Sequence, residues 1–208
     1  MTLLAVVGLQ REARLVAPYA TAMTPKDLDG ARDVSAILSV GIAGALAPDL
    51  AAGDIVIVER VVTAGEAFET DAKWTARLAA ALPDARIGAI LGRGAIADTA
   101  DVKAMLHQAT GADAVDMESH LAAAAARARG VPFAALRTIS DRASHGLPPA
   151  ALTAMNPDGS IALGRVLASV ARRPAQIPAL IRTGRESAKA FGALARALEI
   201  LKPGLRAD

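Results

Sequence analysis

A chain of 208 residues has the length of one domain with a substantial core, and with 53% hydrophobic but only 2% aromatic residues, alanine and small aliphatics must fill it. There is no cysteine, which excludes both a disulfide framework and a thiolate metal site. The net charge of +2 is unevenly placed: from residue 172 onward stand eight Lys and Arg against three acids, so the body before them is net negative at −3, a poor surface for nucleic acid.

Short apolar runs alternate with helical patterns, which predicts an α/β fold: one mixed β-sheet flanked by helices. Residues 3–7 read as the first strand, ended by Gly8, with no basic residues before them; that is a buried strand and not a signal peptide, and points to a cytoplasmic protein. Residues 12–22 have helical character, interrupted by Pro18. A second strand, 36–40, leads into a turn at Gly41-Ile42-Ala43-Gly44, and a third, 55–58, follows the turn Ala52-Gly53-Asp54. Then come a helix at 74–82, a strand at 86–91, a helix at 102–110, a strand at 114–116 and an alanine-rich helix at 119–129 with Gly130 as its C-cap. The last strand, 133–139, runs into a polar stretch at 140–149. Two helical patterns, 161–172 and 177–201, flank Pro174. This divides the chain into an α/β domain at 1–170 and a basic helical tail at 171–208. No apolar run reaches the roughly 18 residues of a membrane-spanning helix.

Ligand sites in such sheets form at the C-terminal ends of strands, and several strand ends here carry unusual residues. The first ends in Gly8-Leu9-Gln10-Arg11-Glu12. Glu118 and Asp141 stand just beyond two apolar strands, 23 positions apart, so one intervening helix returns the chain to the same edge. Acids in such places also cap the next helix, and the spacing alone leaves both readings open. His107, His120 and His145 have no ligand spacing, so no metal site is expected. Gly92-Arg93-Gly94 is too short for a dinucleotide fingerprint and no P-loop occurs, so no cofactor is expected either.

Val115-Asp116-Met117-Glu118-Ser119, followed after one helix by Arg137-Thr138-Ile139-Ser140-Asp141-Arg142-Ala143, resembles the paired signature of the purine and uridine phosphorylase superfamily. The likeness is strongest to the methylthioadenosine/S-adenosylhomocysteine nucleosidases. Gly41-Ile42-Ala43-Gly44-Ala45-Leu46 and Gly53-Asp54-Ile55-Val56 match that family's preceding elements in order, so the resemblance covers residues 3–143. The short chain, Asn156-Pro157-Asp158-Gly159 and the basic tail are similar to the hopanoid-associated branch, whose members remove adenine from adenosylhopane.

The resemblance implies a small-molecule or lipid-linked nucleoside as substrate, and a homo-oligomer in which a neighbouring subunit often completes the pocket. It implies Asp141 as the acid that protonates purine N7, Glu118 as the carboxylate that holds the ribose hydroxyls, and Met117 as a packing surface for the sugar. Arg137 and Ser140 would orient the Asp141 loop. Gly8, Gly41, Ala43 and Ile96, with Ala97, would line the substrate. Glu12 matches the acid that activates the attacking water; the alternative is that it only favours the dipole of the first helix. Phosphorylases offer a hydroxyl where Ile42 stands and an arginine where Ser39 stands, and phosphate needs charge-assisted donors. Their loss points to water as the nucleophile, although Arg11 and Arg14 could restore positive charge. A phosphorolytic enzyme and a nucleoside-binding module without catalysis are the rival readings. An intact Glu118/Asp141 pair weighs against the second.

In the tail, Ile177, Ile181, Gly184, Ala188, Phe191, Ala195 and Leu198 trace one helical face, and Arg182, Arg185, Lys189 and Arg196 a neighbouring stripe. Such a helix packs on the body or on a second subunit, or lies peripherally on an anionic membrane.

Overall fold

The computed structural model describes residues 2–154, 156, 162–202 and 205. In chain order the elements are β1 (Thr2–Val6), α1 (Gln10–Val16), β2 (Thr21–Met23), a 3-10 helix (Pro25–Gly30), β3 (Val34–Ala45), β4 (Ile55–Val62), β5 (Ala67–Glu69) and α2 (Ala72–Ala81). They continue with β6 (Arg86–Gly92), α3 (Ala100–Thr110), β7 (Ala114–Asp116), α4 (Ser119–Arg129), β8 (Phe133–Asp141), α5 (Pro149–Leu152), α6 (Leu163–Arg172) and α7 (Ile177–Leu201). The strands form one mixed sheet in the order β2-β1-β3-β7-β6-β4-β5. β8 pairs in parallel with β3 and antiparallel with β4, so that β3, β7, β6, β4 and β8 close a circuit of paired strands.

The expected α/β class and flanking helices are those observed, and the period-2 geometry of strands explains the two-sided core. Along β1, Leu4 and Val6 join the cluster beneath α4, with Ala122, Ala123 and Ala126. Leu3 and Ala5 join the opposite cluster, with Trp74 and Leu78 of α2 and Leu194, Ala197, Leu198 and Leu201 of α7. Alanine-rich α4 can lie close to the sheet because it has little side-chain bulk. Gly130 ends it at φ 64, a left-handed conformation that a Cβ disfavours.

Several elements differ from expectation. The first helix stops at Val16, because Pro18 has no N–H to continue the ladder; a short edge strand, β2, follows where helix was expected. Gly41–Gly44 is no turn. It is the C-terminal half of a twelve-residue strand, paired with β8 through Gly41 opposite Arg137, Ile42 opposite Thr138 and Ala43 opposite Ile139. The glycines are needed for space and not for positive φ: a Cβ at Gly41 would overlap Glu12 Oε1, and one at Gly44 would stand 3.2 Å from Asp141 Oδ2. Of the 156–159 segment only Asn156 is among the described residues.

The helix expected as a tail is divided along its length. Phe191, Leu194, Leu198 and Leu201 are buried in the core of the body, whereas Ile177 and Ile181 are 41% and 50% exposed. Arg182, Arg185, Lys189 and Arg196 are all exposed. No described helix is long and apolar enough to cross a membrane.

Candidate active site

The ends of β1, β7 and β8 and the second half of β3 border one cleft. Gly8, Glu12, Ala43, Ile96, Met117, Glu118, Ser140 and Asp141 line it, joined by Ile42 and Asp116. Gly41 and Arg137 do not line it; they support groups that do.

Glu12 lies in the first turn of α1 and is buried, at 3% exposed. Oε2 accepts from the N–H groups of Gly8 and Leu9, both at 2.9 Å, and so caps α1. Oε1 reaches across to β3 and accepts from the Ile42 N–H at 2.8 Å. Helix capping and cleft lining are therefore the same contact set. Burial raises its pKa, opposed by the charge of Arg137 and by the three N–H donors.

Glu118 begins α4 and packs over Gly8, where a Cβ would overlap its Oε1. Its pKa is pushed up to about 7, first by burial and then by the neighbouring Asp116 charge, with Arg137 working the other way. Beneath these acids lies Arg137, 1% exposed. Its Nε donates to Asp116 Oδ2 at 2.8 Å, Nη2 donates to the same oxygen and to Ser39 Oγ at 2.7 Å, and Nη1 donates to the Leu136 carbonyl at 3.0 Å. The same Asp116 oxygen also accepts from the Ser119 N–H and hydroxyl, at 3.0 and 2.7 Å. Three acids around one guanidinium raise its pKa against the effect of burial.

Arg137 was expected to orient the Asp141 loop, but no hydrogen bond joins it to Asp141; its fork is spent on Asp116 and Ser39. Ser140 does contact Asp141, with Oγ 2.6 Å from Oδ1 and 3.1 Å from the Ala43 carbonyl. The other Asp141 oxygen is ion-paired with Lys103, a residue of α3 that is 0% exposed. Lys103 Nζ also donates to the carbonyls of Arg142 at 2.9 Å and His145 at 2.8 Å. The His145 side chain turns away from the cleft, with Nδ1 2.9 Å from Glu186 Oε1 of α7.

Lys103, Asp116 and Ser39 were not among the residues expected at the site. Asp116 lies within the Val115–Ser119 motif, but the partner that gives it a role, Arg137, is 21 positions away. Nothing local marks Lys103, whose partner is 38 positions away.

A cleft lined by the carboxyl groups of Glu12, Asp116, Glu118 and Asp141 can exchange protons with a bound molecule and stabilise positive charge that develops on it. Residues 6–172 match the sequence model of a family described as "Phosphorylase superfamily". No curated protein matches the chain in sequence. Among solved structures, the chain is similar to the S-adenosylhomocysteine nucleosidase of Streptococcus pyogenes, with 19% identity, a TM-score of 0.72 and coverage of 100% of this chain and 98% of that one. It is also similar to the 5′-methylthioadenosine/S-adenosyl homocysteine nucleosidase of Helicobacter pylori, with 16% identity, a TM-score of 0.68 and coverage of 97% and 98%. A futalosine hydrolase mutant from the same organism aligns with 16% identity, a TM-score of 0.65 and coverage of 97% and 98%. At these identities the likeness is one of fold.

Proposed function

The chain belongs to the phosphorylase superfamily, and from that premise we propose that it cleaves the N-glycosidic bond of a purine nucleoside with water as the nucleophile. The observation that carries this reading is the carboxylate of Glu12. It occupies the N–H groups of Gly8, Leu9 and Ile42, the backbone donors that a phosphate dianion would need in this corner of the cleft. Ser39, where a phosphorylase offers an arginine, is taken up by Arg137. Arg11 stacks on the Phe191 ring at 4.2 Å, and Arg14 borders a separate surface beside β1, so neither supplies charge to the cleft.

In this mechanism Asp141 donates a proton to N7 of the base, which lets the C1′–N9 electron pair leave with the purine. Glu118, once ionised, accepts hydrogen bonds from the ribose hydroxyls and favours the oxocarbenium-like sugar. Glu12 takes a proton from the water that attacks C1′.

The finer reading is an adenosyl substrate with an apolar 5′ substituent, adenosylhopane above all, as the resemblance to the hopanoid-associated branch implies. Ile96 and Met117 support it by offering exposed apolar surface at the cleft, at 40% and 37% exposed. Exposed Met105 and Leu121 support a homo-oligomer. A lipid-linked substrate would bring the enzyme to the cytoplasmic face of the membrane, and α6 with the first half of α7 suits that contact. Leu163 and Leu167 are 64% and 61% exposed, and Ile177 and Ile181 continue the apolar surface beside Arg182, Arg185 and Lys189.

The test is adenine release from adenosylhopane, methylthioadenosine and adenosine, each with and without phosphate. Phosphate-independent release with a free ribosyl product is expected. A strict phosphate requirement with a ribose 1-phosphate product would overturn hydrolysis.

A further inference from the structure

Residues 142–147 follow β8 without forming a helix or strand, so their path is set by what they are tied to. Most of the ties lead to α3 and the residues before it. Lys103 Nζ donates to the carbonyls of Arg142 and His145, at 2.9 and 2.8 Å, and the Leu147 N–H donates to the Asp98 carbonyl at 2.8 Å. Within the segment, the His145 N–H donates to the Arg142 carbonyl at 3.1 Å. The path matters to the cleft because Leu147, at the end of the segment, lines it together with Ser140 and Asp141.

Among the described residues, one hydrogen bond ties this segment to α7, between His145 Nδ1 and Glu186 Oε1 at 2.9 Å. Glu186 is an unusual anchor. It is 9% exposed, and its Oε2 is buried with no hydrogen-bond partner among the described residues. Taking a carboxylate out of water is costly, and an apolar side chain of similar size often serves packing as well. Stability therefore gives no reason for an acid here, whereas geometry does. Glu186 stands on a helix whose following turns, from Ala190 to Leu201, are anchored in the core, so it is a fixed point from which His145 can be held.

We propose that Glu186 is a positioning residue of the cleft: through His145 it holds residues 142–147 in place, so that Leu147 packs against the bound nucleoside. The proposal rests on the reading of this cleft as a nucleoside site. Leu147 is half-buried and has apolar surface left for a ligand to cover. A wall fixed before the ligand arrives spares the ordering cost that binding would otherwise carry. Glu186 neither touches the substrate nor moves a proton; its effect reaches the nucleoside only through His145 and Leu147.

The experiment measures, by calorimetry, the binding of a C-nucleoside analogue of adenosine, which cannot be cleaved, together with the Tm of each protein. Leu147→Ala removes the wall and should weaken binding about tenfold. Glu186→Leu keeps the bulk but releases His145. Its Tm should hold or rise, while binding should weaken by at least about threefold, the order of restoring mobility to one side chain. The double variant should bind no worse than Leu147→Ala alone, because Glu186 then has nothing left to position. KM for a soluble nucleoside should rise in the same order as the analogue's Kd. His145→Ala cuts the same tie from its part-exposed end and keeps the carbonyl that Lys103 holds, so the test does not depend on one variant folding. It should weaken binding as Glu186→Leu does. Unchanged binding in both of these variants, with or without a lower Tm, overturns the proposal, and so do losses that multiply in the double variant. A wild type that binds no purine nucleoside overturns the nucleoside reading itself, and the proposal with it.

Discussion

Glu12 and Ile42 stand 30 positions apart, and the Ile42 N–H donates to Glu12 Oε1 at 2.8 Å. That bond fastens the first helix to the glycine-bearing half of β3 and fills the backbone donors of the cleft with the protein's own carboxylate. Glu12→Gln keeps an acceptor oxygen but removes the base. Turnover should fall by at least about a hundredfold with the fold intact. Gly41→Ala tests the same geometry from the other side, because its Cβ would overlap Oε1 and push the carboxylate off the donors. Steady-state rates for both variants, with circular dichroism as the folding control, check this. Full activity in Gly41→Ala would mean that the position of Glu12 is not critical.

Asp141 is held by Ser140 on one oxygen and Lys103 on the other, which fixes the direction in which it can deliver a proton. Asp141→Asn should lower kcat by at least about a hundredfold, the lower range for losing a general acid. Binding of a non-hydrolysable nucleoside analogue, measured by calorimetry, should survive. Near-normal turnover would remove Asp141 from the mechanism.

Glu118 gives a pH signature in both activity and stability. Its folded pKa of about 7 lies above the ordinary value of 4.5, so the folded protein holds this proton more tightly than the unfolded chain does. The stabilisation is fully present below about pH 4.5 and is lost as pH rises through about 7, amounting to about 3 kcal/mol at most. Glu118→Gln cannot ionise and should therefore gain in Tm relative to the wild type on going from about pH 5 to pH 8. Activity should run the other way: kcat/KM of the wild type should rise through about pH 7 as the ribose-binding carboxylate forms. A Tm difference independent of pH would show that Glu118 titrates as an ordinary surface acid.

What could be read from the sequence depended on whether a residue's reason was local. The bounds of α4 and α7 follow from apolar periodicity together with Gly130 and Pro174, signals within a few residues of the helix ends. Glu118 and Asp141 stood out because a motif carries them. Gly41 and Gly44 read locally as a turn, whereas their purpose, room for the carboxylates of Glu12 and Asp141, lies in other segments. Lys103 was invisible for the same reason: in Val102-Lys103-Ala104-Met105 it reads as a solvated helix position, and only the return of β8 supplies its partner. The Asp116–Arg137–Ser39 network likewise joins residues 21 and 98 positions apart.

The last prediction concerns the surface of α6 and the first half of α7. The second half of α7 is core, so membrane contact falls to the exposed residues: Leu163, Leu167, Ile177 and Ile181, with Arg182, Arg185 and Lys189 alongside. Among the described residues, none of these three cations has an ion-pair partner, so their charge is available to an anionic surface at roughly 1 kcal/mol each. The protein should sediment with anionic vesicles, less so at high salt, and should bind neutral vesicles weakly. Changing Arg182, Arg185 and Lys189 to Gln should reduce the bound fraction without loss of fold, because none of the three is buried. Leu163→Ser with Leu167→Ser should weaken binding even at low salt, since the apolar contribution does not depend on screening. Turnover of a small soluble nucleoside should hardly change in either variant. A wild type that ignores anionic vesicles would leave this face to contact between subunits, which sedimentation velocity would then reveal as an oligomer weakened by the two leucine changes.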